Sequence, residues 1–108
     1  MEEELFKGLV RNLSRLIILW ILSHHSYSGY GILKEMRRVT GQNMLPGLIY
    51  PLLHELDGKN CIVGEKVQKG KRFITYYSLT KNGLALLSQL KDLFKLPLGS
   101  ILQELLGE

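Results

Sequence analysis

Residues 45–79 read LPGLIYPLLHELDGKNCIVGEKVQKGKRFITYYSL. In the first part Ile49, Leu52, Leu53 and Leu56 recur at three- and four-residue steps, which predicts a helix over about 46–58 with one apolar stripe. Gly47, Tyr50, Pro51, His54 and Asp57 fall on the opposite face. Pro51 removes a backbone donor and crowds the carbonyl of Gly47, where the absence of a side chain avoids further crowding. Gly58 and Asn60 close this helix. The second part predicts two strands, about 61–67 and 73–79, joined by the basic turn Gln68 to Arg72. Phe73, Ile74, Thr75, Tyr76 and Tyr77 are aromatic or β-branched and favour a hairpin.

Upstream, Phe6, Leu9, Val10, Leu13, Ile17 and Trp20 keep a helical step and place a first helix over 4–24. From Leu16 to Leu22 every position is apolar, so this part must be covered on all sides, which a small lone domain achieves poorly and a dimer achieves well. A second helix is expected over 29–40, capped by Ser26 or Ser28 and ended by Gly41. Downstream, Thr80 caps a fourth helix whose apolar positions are Leu87, Leu90, Phe94, Leu98, Ile101 and Leu105, and Pro97 should kink or split it near Leu96. The whole is α+β and mostly helical: a winged helix-turn-helix of three helices and a two-stranded wing (1–80), with a C-terminal dimerisation helix (81–108) in the same compact domain. Phe6, Leu9, Leu13, Trp20, Leu87, Leu90, Phe94, Ile101 and Leu105 are the expected dimer contacts.

The charges point to a polyanion. The chain of 108 residues has 14 Lys and Arg against 10 Asp and Glu. Between Lys59 and Lys81 six residues are basic (Lys59, Lys66, Lys69, Lys71, Arg72, Lys81) and only Glu65 is acidic, so the excess is local, as an anion-binding patch requires. A helix that reads base edges beside a hairpin that contacts phosphate would use both features together. Lys69 and His54 join the candidate DNA contacts on charge and face.

Other classes find little support. His24, His25, His54 and Cys61 fit no standard zinc spacing, and no phosphate loop, nucleophile elbow or carboxylate pair suggests an enzyme. No cofactor is expected. One cysteine excludes an intrachain disulfide and suits a reducing compartment. The longest apolar run, Leu16 to Leu22, is too short to span a bilayer, and the acidic start does not suit a secretory signal, so a cytoplasmic protein without membrane contact is expected.

The chain resembles the PadR-like transcriptional regulators over about residues 8–90. The matching pieces are LIILWILS, SGYGILKEM, PGLIYPLLHEL and GKRFITYYSLTKNGLALL, whose Gly-Tyr, Tyr-Pro and Tyr-Tyr-Ser-Leu-Thr steps are specific in combination. The resemblance implies a homodimer that represses transcription at a palindromic operator in double-stranded DNA, with a C-terminal helix crossing to the partner. It implies DNA contacts at Tyr30, Lys34, Gly47, Leu48, Tyr50, Pro51, Lys71 and Arg72. Some relatives release DNA on binding a phenolic or other aromatic compound at the dimer interface, so the resemblance admits a small hydrophobic or aromatic effector. The chain departs from the family in carrying Leu45 where Ser is frequent and Leu48 where Thr is frequent. Leu48 can touch a thymine methyl but cannot read donor patterns. An apolar start to the third helix also suits an alternative: a winged helix used for protein interaction or assembly, without DNA readout.

Overall fold

A computed structural model describes residues 1–107; Glu108, the last residue of the expected dimerisation segment, lies outside the described residues. The elements are α1 (Glu2–Leu22), β1 (Tyr27–Ser28), α2 (Gly29–Thr40), α3 (Pro46–Gly58), β2 (Ile62–Lys69), β3 (Arg72–Leu79), α4 (Lys81–Leu93) and α5 (Leu98–Leu105). The sheet is antiparallel in the order β1-β3-β2. It is a winged helix with one strand more than expected. β1 is only two residues, pairing Tyr27 with Tyr77 and Ser28 with Tyr76.

Local chemistry sets the boundaries. Ser28, rather than Ser26, caps α2: its Oγ accepts the Gly31 N–H at 3.0 Å. Ser26 instead shares a 2.7 Å hydrogen bond with Ser78, stitching the α1–β1 loop to β3. Gly41 ends α2 at φ 66°, donating its N–H to the Arg37 carbonyl. α3 begins with Pro46 in its first turn, where a missing N–H costs nothing, and Leu45 supplies no side-chain cap. The wing turn is tighter than the expected five residues, because pairing continues to Lys69 and Arg72. Gly70 at φ 64° occupies the first of two central positions, as a type II′ hairpin turn requires. The final helix is split as expected, with α4 ending at Leu93 and α5 starting at Leu98 beyond Pro97.

The core lies where α1, α2, α3 and the base of the wing meet. Ile18, Ile32, Met36, Ile49, Leu53 and Ile62 are fully buried there. α3 is also held to α1 by an ion pair. Arg15 Nε and Nη2 donate to the two carboxylate oxygens of Glu55 at 2.7 and 3.0 Å. The Arg15 hydrogen bond is the main reason the Glu55 carboxyl is held below the usual range, with the charge attraction of Arg15 adding to it. A forked, half-buried pair of this kind fixes the rotation of α3 about its axis more than it adds stability.

The apolar run Leu16 to Leu22 is covered except at Trp20, which is 45% exposed. The uncovered surface lies earlier, at Leu5, Phe6, Leu9 and Leu13, and at the far end of the chain, at Leu93, Leu96, Ile101, Leu105 and Leu106. Of the expected dimer contacts, Phe6, Leu9, Leu13, Trp20, Ile101 and Leu105 are exposed, whereas Leu87, Leu90 and Phe94 are half-buried and Leu87 packs on the core. Among the described residues, no helix is long and apolar enough to cross a membrane.

Candidate nucleic-acid interface

The burial of Ile49, Leu52, Leu53 and Leu56 fixes which way α3 faces. Gly47, Pro51 and His54 stand on the side away from the core, and all three are exposed. Tyr50 lies on one flank and Leu48 on the other. Tyr50 turns toward α2 and the wing. Its ring lies so near Gly29 that a Cβ there would meet Tyr50 Cε1 at 3.1 Å, so glycine at the start of α2 is what lets the ring in. Gly64 plays the same part on β2: a Cβ would come within 2.9 Å of Thr75 Cγ2 and 3.1 Å of Tyr77 Cε1.

These close approaches build a cleft of about 640 Å³ lined by Ser28, Gly29, Tyr30, Tyr50, Arg72, Phe73, Ile74, Thr75 and Tyr77. Lys34 borders it, with Nζ 5.7 Å from the centre of the Tyr30 ring. Four of the residues expected to touch DNA, Tyr30, Lys34, Tyr50 and Arg72, therefore converge from three elements. The Tyr77 hydroxyl titrates above its ordinary value, first because of burial and then because of Asp57 and Tyr50, and so remains a neutral donor.

Lys69 and Arg72 are cross-strand partners beside the turn, and Lys71 sits in the turn itself. Among the described residues, no acidic side chain forms an ion pair with Lys34, Lys66, Lys69, Lys71 or Arg72. These cations are exposed, with only solvent to balance their charge. Two residues outside the expected DNA contacts, Phe73 and Lys66 (the latter expected only as part of the basic patch), join the cleft side of the wing. Phe73 lines the cleft and is 66% exposed, and Lys66 opposes Thr75 on the same strand face. Counting back in twos from Tyr77 reaches Phe73, whereas Lys66 follows only once the register pairs it with Thr75.

Leu48 is not where it was expected. It is half-buried, packs on the core and lines a groove with Phe6, Val10 and Leu45 on the α1 side of α3. One step of 100° from buried Ile49 takes it away from His54 and toward α1. The side of α3 turned away from the core is thus Gly47, Pro51 and His54, with Tyr50 at its wing edge.

The sequence profile of the transcriptional regulator PadR-like family matches residues 18–89. A solved structure from Thermoplasma acidophilum, described as that of a transcriptional regulator, is 29% identical, with a TM-score of 0.80 over 94% of this chain and 97% of that one. A PadR family transcription regulator from Clostridium difficile is 26% identical, with a TM-score of 0.73 over 87% of this chain and 98% of that one. The Bacillus subtilis PadR, solved in complex with operator DNA, is 26% identical with a TM-score of 0.64; the match covers 70% of this chain and 45% of that longer one. Comparison with curated proteins gave no match.

Proposed function

Since this chain belongs to the PadR-like family of transcriptional regulators, we propose that it binds a palindromic operator in duplex DNA as a homodimer and represses transcription there. The observation that carries this reading is the convergence of Tyr30, Tyr50 and Arg72 on one cleft, with Lys34 at its rim. The relative solved with operator DNA supports it.

The geometry suits a division of labour. Gly47, Pro51 and His54 face the base edges of the major groove, and the bare Cα of Gly47 permits close approach. The Tyr50 hydroxyl donates to a backbone phosphate and sets the depth of α3. Lys34, Lys69, Lys71 and Arg72 neutralise phosphates on either side, with the wing beside α3. Leu48 takes no part, because it faces α1. The exposed apolar residues of α1 and of the α4–α5 region form the dimer contact, which spaces the two α3 helices. A small hydrophobic or aromatic compound at that contact releases the DNA. Trp20, half-exposed on the outer stripe of α1 and edge-on to His24 at 4.9 Å, offers it a stacking surface.

The test is a fluorescence anisotropy titration of a labelled duplex from the promoter of the protein's own operon, run on the wild type and on Tyr50→Phe. The ring that packs on Gly29 is kept in the variant, so the melting temperature should not change. Loss of one hydrogen bond to a charged oxygen in each subunit, two in the dimer, should weaken binding about a hundredfold or more. A wild type that fails to bind the promoter at low salt would overturn the proposal, and equal affinity of the two proteins would remove Tyr50 from the contact.

A further inference from the structure

Phe73 is a large apolar ring, 66% exposed, close to the tip of the wing. One exposed ring on a surface is ordinary. Its neighbours set this one apart. Tyr30 of α2 is 61% exposed and lines the same cleft, so two open rings from two elements border one cavity, with the half-buried rings of Tyr50 and Tyr77 further in. Pairing places Phe73, Thr75 and Tyr77 on one face of the hairpin, opposite Gln68, Lys66 and Gly64 of β2. Glu65, the only acid of the two wing strands, alternates to the other face, opposite Tyr76. Asp57 of α3 acts on the Tyr77 hydroxyl, further along β3 from the tip. The outer end of the cleft therefore combines open rings with Lys34, Lys66 and Arg72, and among the described residues no acidic side chain pairs with these cations. The tip itself is braced, since Gln68 Nε2 donates to the Gly70 carbonyl at 3.2 Å.

We propose that Phe73 is a DNA contact of a kind the cations cannot supply: its ring lies against the deoxyribose edge of the strand whose phosphates Lys34 and Arg72 neutralise. The inference rests on the duplex-DNA reading and goes beyond it by giving the wing an apolar contact. A DNA strand presents charged phosphates and largely apolar sugars in alternation, and a surface that grips it alternates likewise. On both sides of the cleft a cation stands beside a ring, Lys34 with Tyr30 on α2 and Arg72 with Phe73 on β3. The two kinds of contact differ in their response to salt. A phosphate contact displaces bound counterions, so it weakens as salt rises. A ring laid on a sugar removes apolar surface from water and has no such dependence. Phe73 thus supplies affinity that persists at high salt. It also sets how closely the wing approaches, because a ring with few rotatable bonds on a braced hairpin loses little freedom on binding.

The test is the promoter titration at several salt concentrations on full-length Phe73→Ala and Phe73→Tyr. Phe73→Ala removes two rings from the dimer and should bind at least about tenfold more weakly at every salt concentration. The slope of log affinity against log salt and the melting temperature should stay those of the wild type. Phe73→Tyr keeps the ring and should restore most of the affinity. In parallel, a photoreactive benzoylphenylalanine in place of Phe73 should cross-link to the bound duplex. The same group in place of Val63, 50% exposed on the other face of the wing, should not. Phe73→Ala with wild-type affinity would overturn the apolar contact and leave the DNA reading standing. So would a weakened variant with a lowered salt slope, since Phe73 would then act by placing Arg72, or one with a lowered melting temperature, since the ring would then support the wing. Cross-linking from position 63 alone would put the other face on the DNA and overturn it too. A wild type that does not bind the duplex would overturn both readings.

Discussion

Charge reversal at the wing, Lys71→Glu with Arg72→Glu, should abolish promoter binding at physiological salt while leaving the fold unchanged. Both side chains are exposed, and neither forms an ion pair in the described structure. Their replacement should therefore move folding stability by less than about 0.5 kcal/mol. Binding is another matter. About four phosphate contacts per subunit make about eight in the dimer, and affinity for duplex DNA then falls by roughly 10³–10⁵ between low and moderate salt. Removing two cations from each subunit should lower the slope of log affinity against log salt by about 3 to 4. Anisotropy titrations at four salt concentrations measure this directly. The same variant separates operator binding from a winged helix used only for protein contact, because a contact through Leu45 and its apolar neighbours would survive the reversal almost intact. A double variant that binds the promoter with unchanged slope would remove the wing from the interface.

The largest effect on folding is expected at Gly83, one turn into α4. It is buried against the strand entrance, and an added Cβ would lie 2.0 Å from the Cys61 carbonyl oxygen and 2.6 Å from Leu79 Cδ1. Backbone cannot yield as a flexible side chain can. The surrounding hydrogen bonds fix it further: Thr80 Oγ1 accepts the Gly83 N–H at 3.0 Å and donates toward the carbonyls of Asn60 and Cys61 at 2.6 and 2.9 Å. Gly83→Ala must therefore break either this cap or the packing of α4 against the wing. A cost above about 3 kcal/mol is expected, at the upper end for overpacking. The melting temperature should fall by more than about 10 °C, or the chain should fail to fold. Gly8→Ala is the control, since a Cβ there meets nothing within 4 Å and helix propensity favours alanine. Thermal circular dichroism of the two variants decides the matter, and a Gly83→Ala protein that melts with the wild type would contradict this packing.

How far the sequence could be read depended on whether a feature was local. α2 and α3 fall on 29–40 and 46–58 as expected, because Ser28, Gly41 and Pro46 punctuate them by chemistry that acts within a turn. The split at Pro97 was legible for the same reason. β1 was not, since two residues carry no periodicity and its pairing with Tyr76 and Tyr77 is set by the fold. Leu48 was misplaced because sequence shows that a residue lies beside the buried stripe but not which neighbour covers that flank; α1 does, through Phe6 and Val10. Phe73 was missed as a contact although its alternation with Tyr77 was visible, and Lys66 was counted only for its charge, since nothing local reveals which face of the wing turns toward α2. That α1 and the last helix would leave apolar surface uncovered could be inferred from apolar content alone. That α5 would have no extensive support within its own chain could not.

Lysine reactivity with and without DNA tests the central claim most directly, because every lysine reports at once. With the promoter duplex bound, Lys34, Lys69 and Lys71 should lose most of their acetylation rate, as read by mass spectrometry, while Lys7, Lys91 and Lys95 on the side proposed for the dimer contact keep theirs. Protection of Lys91 and Lys95 with the wing lysines left reactive would place the DNA on the opposite surface and contradict the account.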